Sequence, residues 1–566
     1  MDNLRLVLFF TLAAILLLLY QAWVQDYGPI GPQKQAQQAT VAPLASAQPP
    51  AAGSVPQAPI VPTADIPTQP AATVGGMTAT EQTLSATDGL VRVETDLLSL
   101  EIARRGGGII SARLLDYPLS PEDPETKFRL LKPDPPNLFF IESGLRGPET
   151  GPLPADTLSL TFQSSQESYR LTQGQDSLEV ILSWGDPNSV EIKRRYRFNR
   201  GSYVIDLSQE VINHTNAPLA ARSYTQVIRT ELYDPQASSF IYTFTGGVYY
   251  TPETKYQRIT FEDMRTERLS LPANDGWVAI IQHYFLAAAL PPAGQPQTFF
   301  TNAREDGKYL IGSYTAPASI PAGGSHAFQE RLFVGPKLQD TLASVAPGLE
   351  LAVDYGRLTI IAQPIYWLLS KIHALVGNWG WAIILLTILI KAAFYKLSET
   401  SYKSMANMRK ITPRIQALKD RYGDDKERLN QAMMEMYKKE KINPLGGCLP
   451  IVVQIPVFIA LYWVLLESVE MRQAPFILWI NNLSAPDPYF VLPLIMGVSM
   501  YVQQKLNPAP PDPIQAKVMM SLPFVFTVFF AFFPSGLVLY WVVNNLLSIA
   551  QQWYITDKIE KAAAKH

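Results

Sequence analysis

The chain has 566 residues, 47 Lys and Arg against 49 Asp and Glu, and 47% apolar residues. Charge this close to balance excludes a globally basic face, so no sequence-specific nucleic-acid partner is expected. A single cysteine, Cys448, excludes an intrachain disulfide framework on either side of a membrane.

The amino end carries Arg5 and then an apolar run over residues 6–20, with Trp23 at its far edge. A signal peptide would offer a small-x-small cleavage site soon after such a run. The nearest candidate, Ala45-Ser46-Ala47, lies far beyond Tyr20, so residues 1–24 read as an uncleaved transmembrane anchor with its amino end in the cytoplasm. Residues 25–88 are rich in Pro, Gln, Ala, Thr and Ser and nearly lack aromatics. Such a stretch buries too little apolar surface to offset its ordering entropy, and a disordered linker is expected.

Over residues 89–345 the pattern becomes period-two alternation broken by turn residues, as in Val91-Arg92-Val93-Glu94 and Leu98-Ser99-Leu100-Glu101-Ile102. Residues 191–198, a turn at Asn199-Arg200-Gly201 and residues 202–207 read as a hairpin. A segment of this size implies a large β-sandwich domain. Gly106-Gly107-Gly108 lacks the Lys-Ser/Thr of a phosphate loop and reads as a bend. His214 and His283 have no metal-ligand spacing around them, and no catalytic constellation stands out. The chain does not read as an enzyme, and no cofactor is expected.

Residues 350–377 are amphipathic, with Ile360, Ile361, Ile365, Leu368, Leu369 and Ile372 interleaved with Arg357, Gln363, Lys371 and His373. They suit a helix lying flat in the membrane interface, bent at Pro364. Residues 379–398, WGWAIILLTILIKAAFYKLS, then form an apolar run about 30 Å long as a helix, which matches a bilayer core. Lys391 inside it would lie about 18 Å from one interface and about 12 Å from the other. A charge at that depth costs roughly 2.5 to 3.5 kcal/mol. Either it serves a purpose in a polar cavity, or it snorkels to the cytoplasmic headgroups. Thr387, Lys391, Tyr395, Ser398 and Tyr402 share one face of a continuous helix.

Residues 399–443 read as a helical hairpin, with Ile415, Leu418 and Tyr422 on one stripe, Leu429, Met433, Met436 and Tyr437 on the other, and a turn at Gly423-Asp424-Asp425. Twelve Lys and Arg against seven Asp and Glu between residues 396 and 441 place it in the cytoplasm. Its methionines, Met405, Met408, Met433 and Met436 among them, read either as an adaptable surface for apolar client segments or as plain seam.

Four further spans are expected at 446–466, 489–506, 517–533 and 536–555, then a cytoplasmic tail over 556–566. The loop over 471–488 holds only Arg472 as a basic residue, whereas Lys505 and Lys517 flank the 507–516 connection. Counting sides gives six spans with both termini cytoplasmic and the β domain outside, which is the periplasm in a two-membrane bacterium. Gln454, Thr527, Asn544 and Ser548 are polar residues within spans. One such residue usually bridges helices; several offered toward a lysine suggest a shared wet cavity.

Residues 441–450 (KINPLGGCLP), 454–458 (QIPVF), 468–476 (SVEMRQAPF), 532–541 (FFPSGLVLYW) and, in the β segment, 276–285 (GWVAIIQHYF) resemble the YidC/Oxa/Alb family of membrane protein insertases, in its Gram-negative type. The resemblance covers the whole chain. It implies a polytopic α-helical membrane protein of the inner membrane, an anchor plus a five-helix core, with a periplasmic all-β sandwich and a cytoplasmic helical hairpin. It further implies a hydrophilic groove, open to cytoplasm and lipid and closed outward, that holds one positive residue. That residue is usually arginine, and the matching position here is Lys391, which keeps the charge and loses the planar fork. Substrate contacts near Thr387, Tyr540 and Trp541 are implied as well. The expected partners are nascent membrane proteins, the Sec translocon, the ribosome and membrane lipids. A secondary transporter would also put charge in a polar cavity but typically shows repeated halves and a coupling carboxylate, and neither is found within the expected spans. An intramembrane protease built on Ser535 would need its base nearby, yet Ser535 falls at the outer turn and Lys391 toward the inner side.

Overall fold

The computed structural model describes residues 89–149, 151–231, 243–423, 425–440, 449–507 and 513–563. The expected anchor over 1–24, the linker over 25–88, most of the 441–450 motif and the end of the tail lie outside the described residues.

Among the described residues, alternation in the first half builds two facing sheets. One runs Ser270–Ala273, Gln297–Ala303, Lys308–Thr315, Leu219–Thr230, Phe139–Arg146, Ile109–Ser120, Leu98–Ala103, Leu90–Glu94 and Ser168–Arg170, with Ala318–Ile320 and Asp123–Leu131 paired beside it. The other runs Lys255–Ile259, Gly246–Thr251, Trp277–Gln282, Phe285–Leu290, Ser325–Pro336, Val204–Asn213, Val190–Asn199, Ser177–Gly185 and Gln163–Ser164. The hairpin joining Val190–Asn199 to Val204–Asn213 sets Phe198 opposite Ile205 and turns through Gly201 at φ +68°.

Polar side chains interrupt the inward rows. Arg194 falls in register with Val190, Ile192, Tyr196 and Phe198, and it is fully buried. Its guanidinium donates to Gly106 O and to Gln209 Oε1 and lies over the Phe162 ring. Of the three glycines in the bend, Gly107 is the one against the Arg194 guanidinium. Gly106 and Gly107 adopt φ of +70° and +67°, and a Cβ on Gly107 would stand 2.2 Å from Arg194 Nη1.

Glu330 reaches across from Ser325–Pro336 and accepts hydrogen bonds from Thr225 and Ser313 of the facing sheet. Burial pushes its carboxyl up to about 7, against the pull of those two donors. The folded chain therefore holds a proton there that an unfolded chain, with a glutamate pKa near 4.3, releases. Between about pH 4.5 and 7 the unfolded state binds fewer protons, so stability falls as pH rises, by about 3 kcal/mol at 1.36 kcal/mol per unit. The thermal midpoint of the β-sheet signal should drop over this window and drop less in Glu330→Gln. Parallel curves for the two proteins would refute the assignment.

Ten helices are described, the first of them α1 (Phe261–Thr266), a single capped turn beside the sandwich, and α2 (Gln339–Val345), which leads out of it. The amphipathic α3 (Thr359–Val376) ends on Gly377 at φ +67°, and the Asn378 side chain caps α4 (Trp379–Ala393) by accepting from Trp381 N–H. Here the structure departs from the continuous helix expected over 379–398. The helix breaks at Phe394 and resumes as α5 (Tyr395–Tyr422), with a bend of 66° between the two. Residues 391–396 contain neither Pro nor Gly, so nothing local marks the break. α10 contacts both sides of it, as described below. The stripe expected on one face is therefore divided, Thr387 and Lys391 before the bend and Tyr395, Ser398 and Tyr402 after it.

Gly423 stops α5, and Asp425 caps α6 (Lys426–Lys439). Ile411 and Ile415 pack on Met433 and Tyr437, with Met408 and Met436 beside them. This makes Met433 seam, whereas Met405 lies outside that cluster. α7 (Leu449–Glu467), α8 (Val491–Leu506), α9 (Pro513–Phe530) and α10 (Ser535–Ala563) follow. Asp487, buried, accepts from the N–H groups of Tyr489 and Leu492 and from Trp479 Nε1, and so starts α8. No single helix among the described residues is both long and apolar enough to cross a membrane alone. The pair Trp379–Ala393 and Tyr395–Met408 passes that test together, by length and composition, and Val453–Glu467 and Ala516–Phe530 are shorter apolar helices.

Candidate functional site

Residues 544, 548 and 551 are spaced to share one face of α10, and that face meets the α4–α5 bend. Lys391 Nζ donates to Ser548 Oγ at 2.7 Å, and Gln551 Nε2 donates to Tyr395 O at 3.4 Å. One helix face thus contacts both sides of the break. Ser548 Oγ in turn donates to Asn544 O at 2.7 Å, and Tyr402 is a further side-chain partner of Ser548. From α7, Gln454 Nε2 donates to Asn544 Oδ1 at 2.9 Å, and Tyr540 is another side-chain partner of Gln454. Three helices therefore supply a chain of hydrogen bonds from Lys391 through Ser548 and Asn544 to Gln454 and Tyr540, and Tyr402 joins it from a fourth. Among the described residues Lys391 makes no ion pair, and a hydroxyl dipole is what it touches. Such a cation keeps its attraction for an incoming anion, undiminished by an internal counter-charge.

The other residues expected in this site lie differently. Thr387 is 1% exposed, and its hydroxyl donates to Ile383 O on its own helix. Thr527 likewise bonds Pro523 O and fills the α8–α9 crossing, where a Cβ on Gly497 would stand 1.9 Å from its Oγ1. Trp541 packs edge-on to Phe458 at 4.9 Å and against Phe530 at 5.6 Å; its buried Nε1–H has no acceptor among the described residues. Tyr540 stacks on the same Phe458 at 5.9 Å. Met405, Met408, Met433 and Met436 belong to the hairpin and do not join the polar chain.

Two polar contacts beside the site were not anticipated. Asn545 Nδ2 donates to Ser499 Oγ at 3.1 Å, and Gln552 Nε2 to Leu506 O and Asn507 Oδ1, both at 3.1 Å. These tie the neighbouring face of α10 to α8. The Asn-Asn pair at 544–545 was the available signal, since adjacent helical residues face different neighbours.

Outside the cluster the helices turn apolar side chains outward. Leu385, Ile388 and Leu389 on α4, Leu494 and Val498 on α8, and Phe524, Val525 and Val528 on α9 are all exposed. Patches this large on several helices need an apolar surrounding.

The Lys391–Ser548 contact is measurable by a double-mutant cycle. A hydrogen bond to a charged group is worth about 1.5 to 3 kcal/mol. In detergent, Lys391→Met and Ser548→Ala should show a coupling of about 1 to 2 kcal/mol in thermal stability. Strict additivity would mean that the contact is absent in the folded protein.

The family described as 60Kd inner membrane protein matches residues 371–562, and the YidC periplasmic domain family matches residues 90–368. The membrane protein insertase YidC of Methylococcus capsulatus is 52% identical over the full length of both chains, and that of Nitrosococcus oceani 48% identical over 99% of this chain and 100% of its own. The crystal structure of an active YidC insertase with its first transmembrane domain resolved covers 83% of this chain and 96% of its own, at 16% identity and a TM-score of 0.37, too loose a match to transfer detail. Full-length identity near one half, with both halves of the chain matched by family, places this protein in the YidC family of inner-membrane protein insertases, the kind with a periplasmic domain.

Proposed function

We propose that the chain inserts nascent integral membrane proteins into the inner membrane, alone or beside the Sec translocon, through a hydrophilic groove that carries the single positive charge of Lys391. The observation that carries this reading is the Lys391 ammonium, half-buried among apolar helices and bonded to a neutral hydroxyl. A substrate's hydrophilic tail must cross hydrocarbon, where bare charges and backbone groups are costly. Ser548, Asn544, Gln454 and Tyr540 offer exchangeable hydrogen-bond partners along part of that path. Lys391 attracts carboxylates on the tail transiently, in a setting of lower dielectric than water. The substrate's apolar segment slides meanwhile over lipid-facing surfaces near Tyr540 and Trp541. Transfer of apolar surface into lipid drives the step, and for an acidic tail the membrane potential adds about 2.3 kcal/mol per charge per 100 mV.

In this reading the α4–α5 pair, α7, α8, α9 and α10 form the five-helix core, α3 lies in the outer interface, and both chain ends face the cytoplasm. Exposed apolar residues on α4, α8 and α9 support the placement. The basic hairpin of α5 and α6 meets the ribosome or the emerging segment in the cytoplasm.

Proteoliposomes holding the purified chain and a two-span substrate with an acidic leading tail test the reading. Lys391→Arg should insert within about threefold of the unchanged protein, because the charge survives. Lys391→Glu should lose at least about tenfold, equivalent to roughly 1.4 kcal/mol. Equal insertion by Lys391→Glu at equal reconstituted amounts would remove the electrostatic role, and full-length product excludes proteolysis.

A further inference from the structure

Two motifs that carry the family resemblance play no part in the polar chain, residues 276–285 of the β domain and residues 468–476 after α7. The structure brings them together. Lys337, directly after strand Ser325–Pro336, donates from Nζ to Glu467 Oε2 at 2.9 Å; the two side chains are 1% and 5% exposed. His283 Nε2–H donates to Leu466 O at 2.9 Å, and the Lys337 backbone N–H donates to Tyr284 O. Just beyond, Arg472 donates to Pro118 O at 2.8 Å, and its guanidinium lies 5.7 Å from the ring centroids of both Phe128 and Phe285.

The end of α7 needs this help. The last carbonyls of a helix lack intrahelical partners, and the end carries partial negative charge, which makes a glutamate there unfavourable. Leu466 and Glu467 present both problems, and the β domain resolves both. His283 serves the orphan carbonyl, and Lys337 neutralises the carboxylate while setting a cation at the negative end of the helix. A pair buried this completely does not separate cheaply, because either partner alone is an uncompensated buried charge. α7 is also the helix that brings Gln454 to Asn544, thirteen residues and about 20 Å from Glu467.

We infer that Lys337, Glu467 and His283 are positioning residues, a lock by which the β domain fixes the height and rotation of α7 and so seats Gln454 in the polar chain. The inference rests on the proposed role of that chain in insertion. It assigns the sandwich a mechanical task in place of a merely tethered one.

The test uses the full chain with Cys448→Ser and a reporter thiol, Gln454→Cys, labelled by a water-soluble maleimide. Val518→Cys, exposed on α9, serves as the control site in a parallel protein. Adding Lys337→Ala should change the labelling rate at 454 by threefold or more and leave the rate at 518 within twofold. Lys337→Met with Glu467→Met, which removes both buried charges together, should return the rate at 454 to within twofold of the start. Where Lys337→Ala does not accumulate, Glu467→Gln should shift the rate at 454 in the same direction. In chains that keep Gln454, insertion should fall at least threefold with Lys337→Ala and recover in the Met pair. An unchanged rate at 454 in Lys337→Ala overturns the lock whatever insertion does, as does a Met pair no better than Lys337→Ala. A changed rate at 454 with unchanged insertion upholds the lock and counts against the polar chain as the insertion path.

Discussion

An ammonium held among apolar helices with a hydroxyl as its neighbour is a costly arrangement, and much of the helical core is disposed around it. The cost is set by desolvation and is not relieved by a carboxylate among the described residues. A protein that needed Lys391 only for packing would do better with methionine or leucine. What the charge gains by staying unneutralised is attraction for anions that arrive from elsewhere. The bend at Phe394 belongs to the same arrangement, since α10 holds Lys391 on one side of the break through Ser548 and the Tyr395 carbonyl on the other through Gln551.

The two halves of the chain meet the same constraint in different ways. In the sandwich, most buried polar groups find partners within the fold, as Arg194 does in the Gly106 carbonyl and Gln209, and Glu330 in Thr225 and Ser313, while Arg194 Nε and Asn302 Oδ1 have none among the described residues. In the helical core the matching is left incomplete at Lys391 and at the Trp541 indole N–H, which has no acceptor among the described residues. Where the halves touch, at Lys337, Glu467, His283 and Arg472, the matching is again close.

Local pattern made much of this legible. Period-two alternation marked the strands, and Gly423-Asp424-Asp425 marked the turn between α5 and α6, because each signal depends on residues adjacent in the chain. Lys391, Gln454, Asn544 and Ser548 stood out as polar atoms in apolar runs, and the structure joins them. Thr387 and Thr527 carried the same signal but turn their hydroxyls to their own helices, an option that a β-hydroxyl has in any helix and that composition does not reveal. The break at Phe394 was not legible: no Pro or Gly marks it, and the residues that contact both sides of it lie some 150 residues away on α10. Arg194 was equally hidden, because its alternation puts a cation inward and only the fold shows the carbonyls that receive it. The docking of Arg472 against the stacked rings of Phe128 and Phe285 has the same character; in the chain it is simply the lone basic residue of an outer loop.

The central claim is that position 391 is wet from the cytoplasmic side and closed from the other. Lys391→Cys in a Cys448→Ser background, probed with a membrane-impermeant thiol reagent in vesicles of both orientations, tests it most directly. The account predicts modification from the cytoplasmic face at a rate within about a hundredfold of a fully exposed thiol, and none from the periplasmic face. A thiol that reacts from neither face, or only with a lipid-soluble reagent, would contradict it.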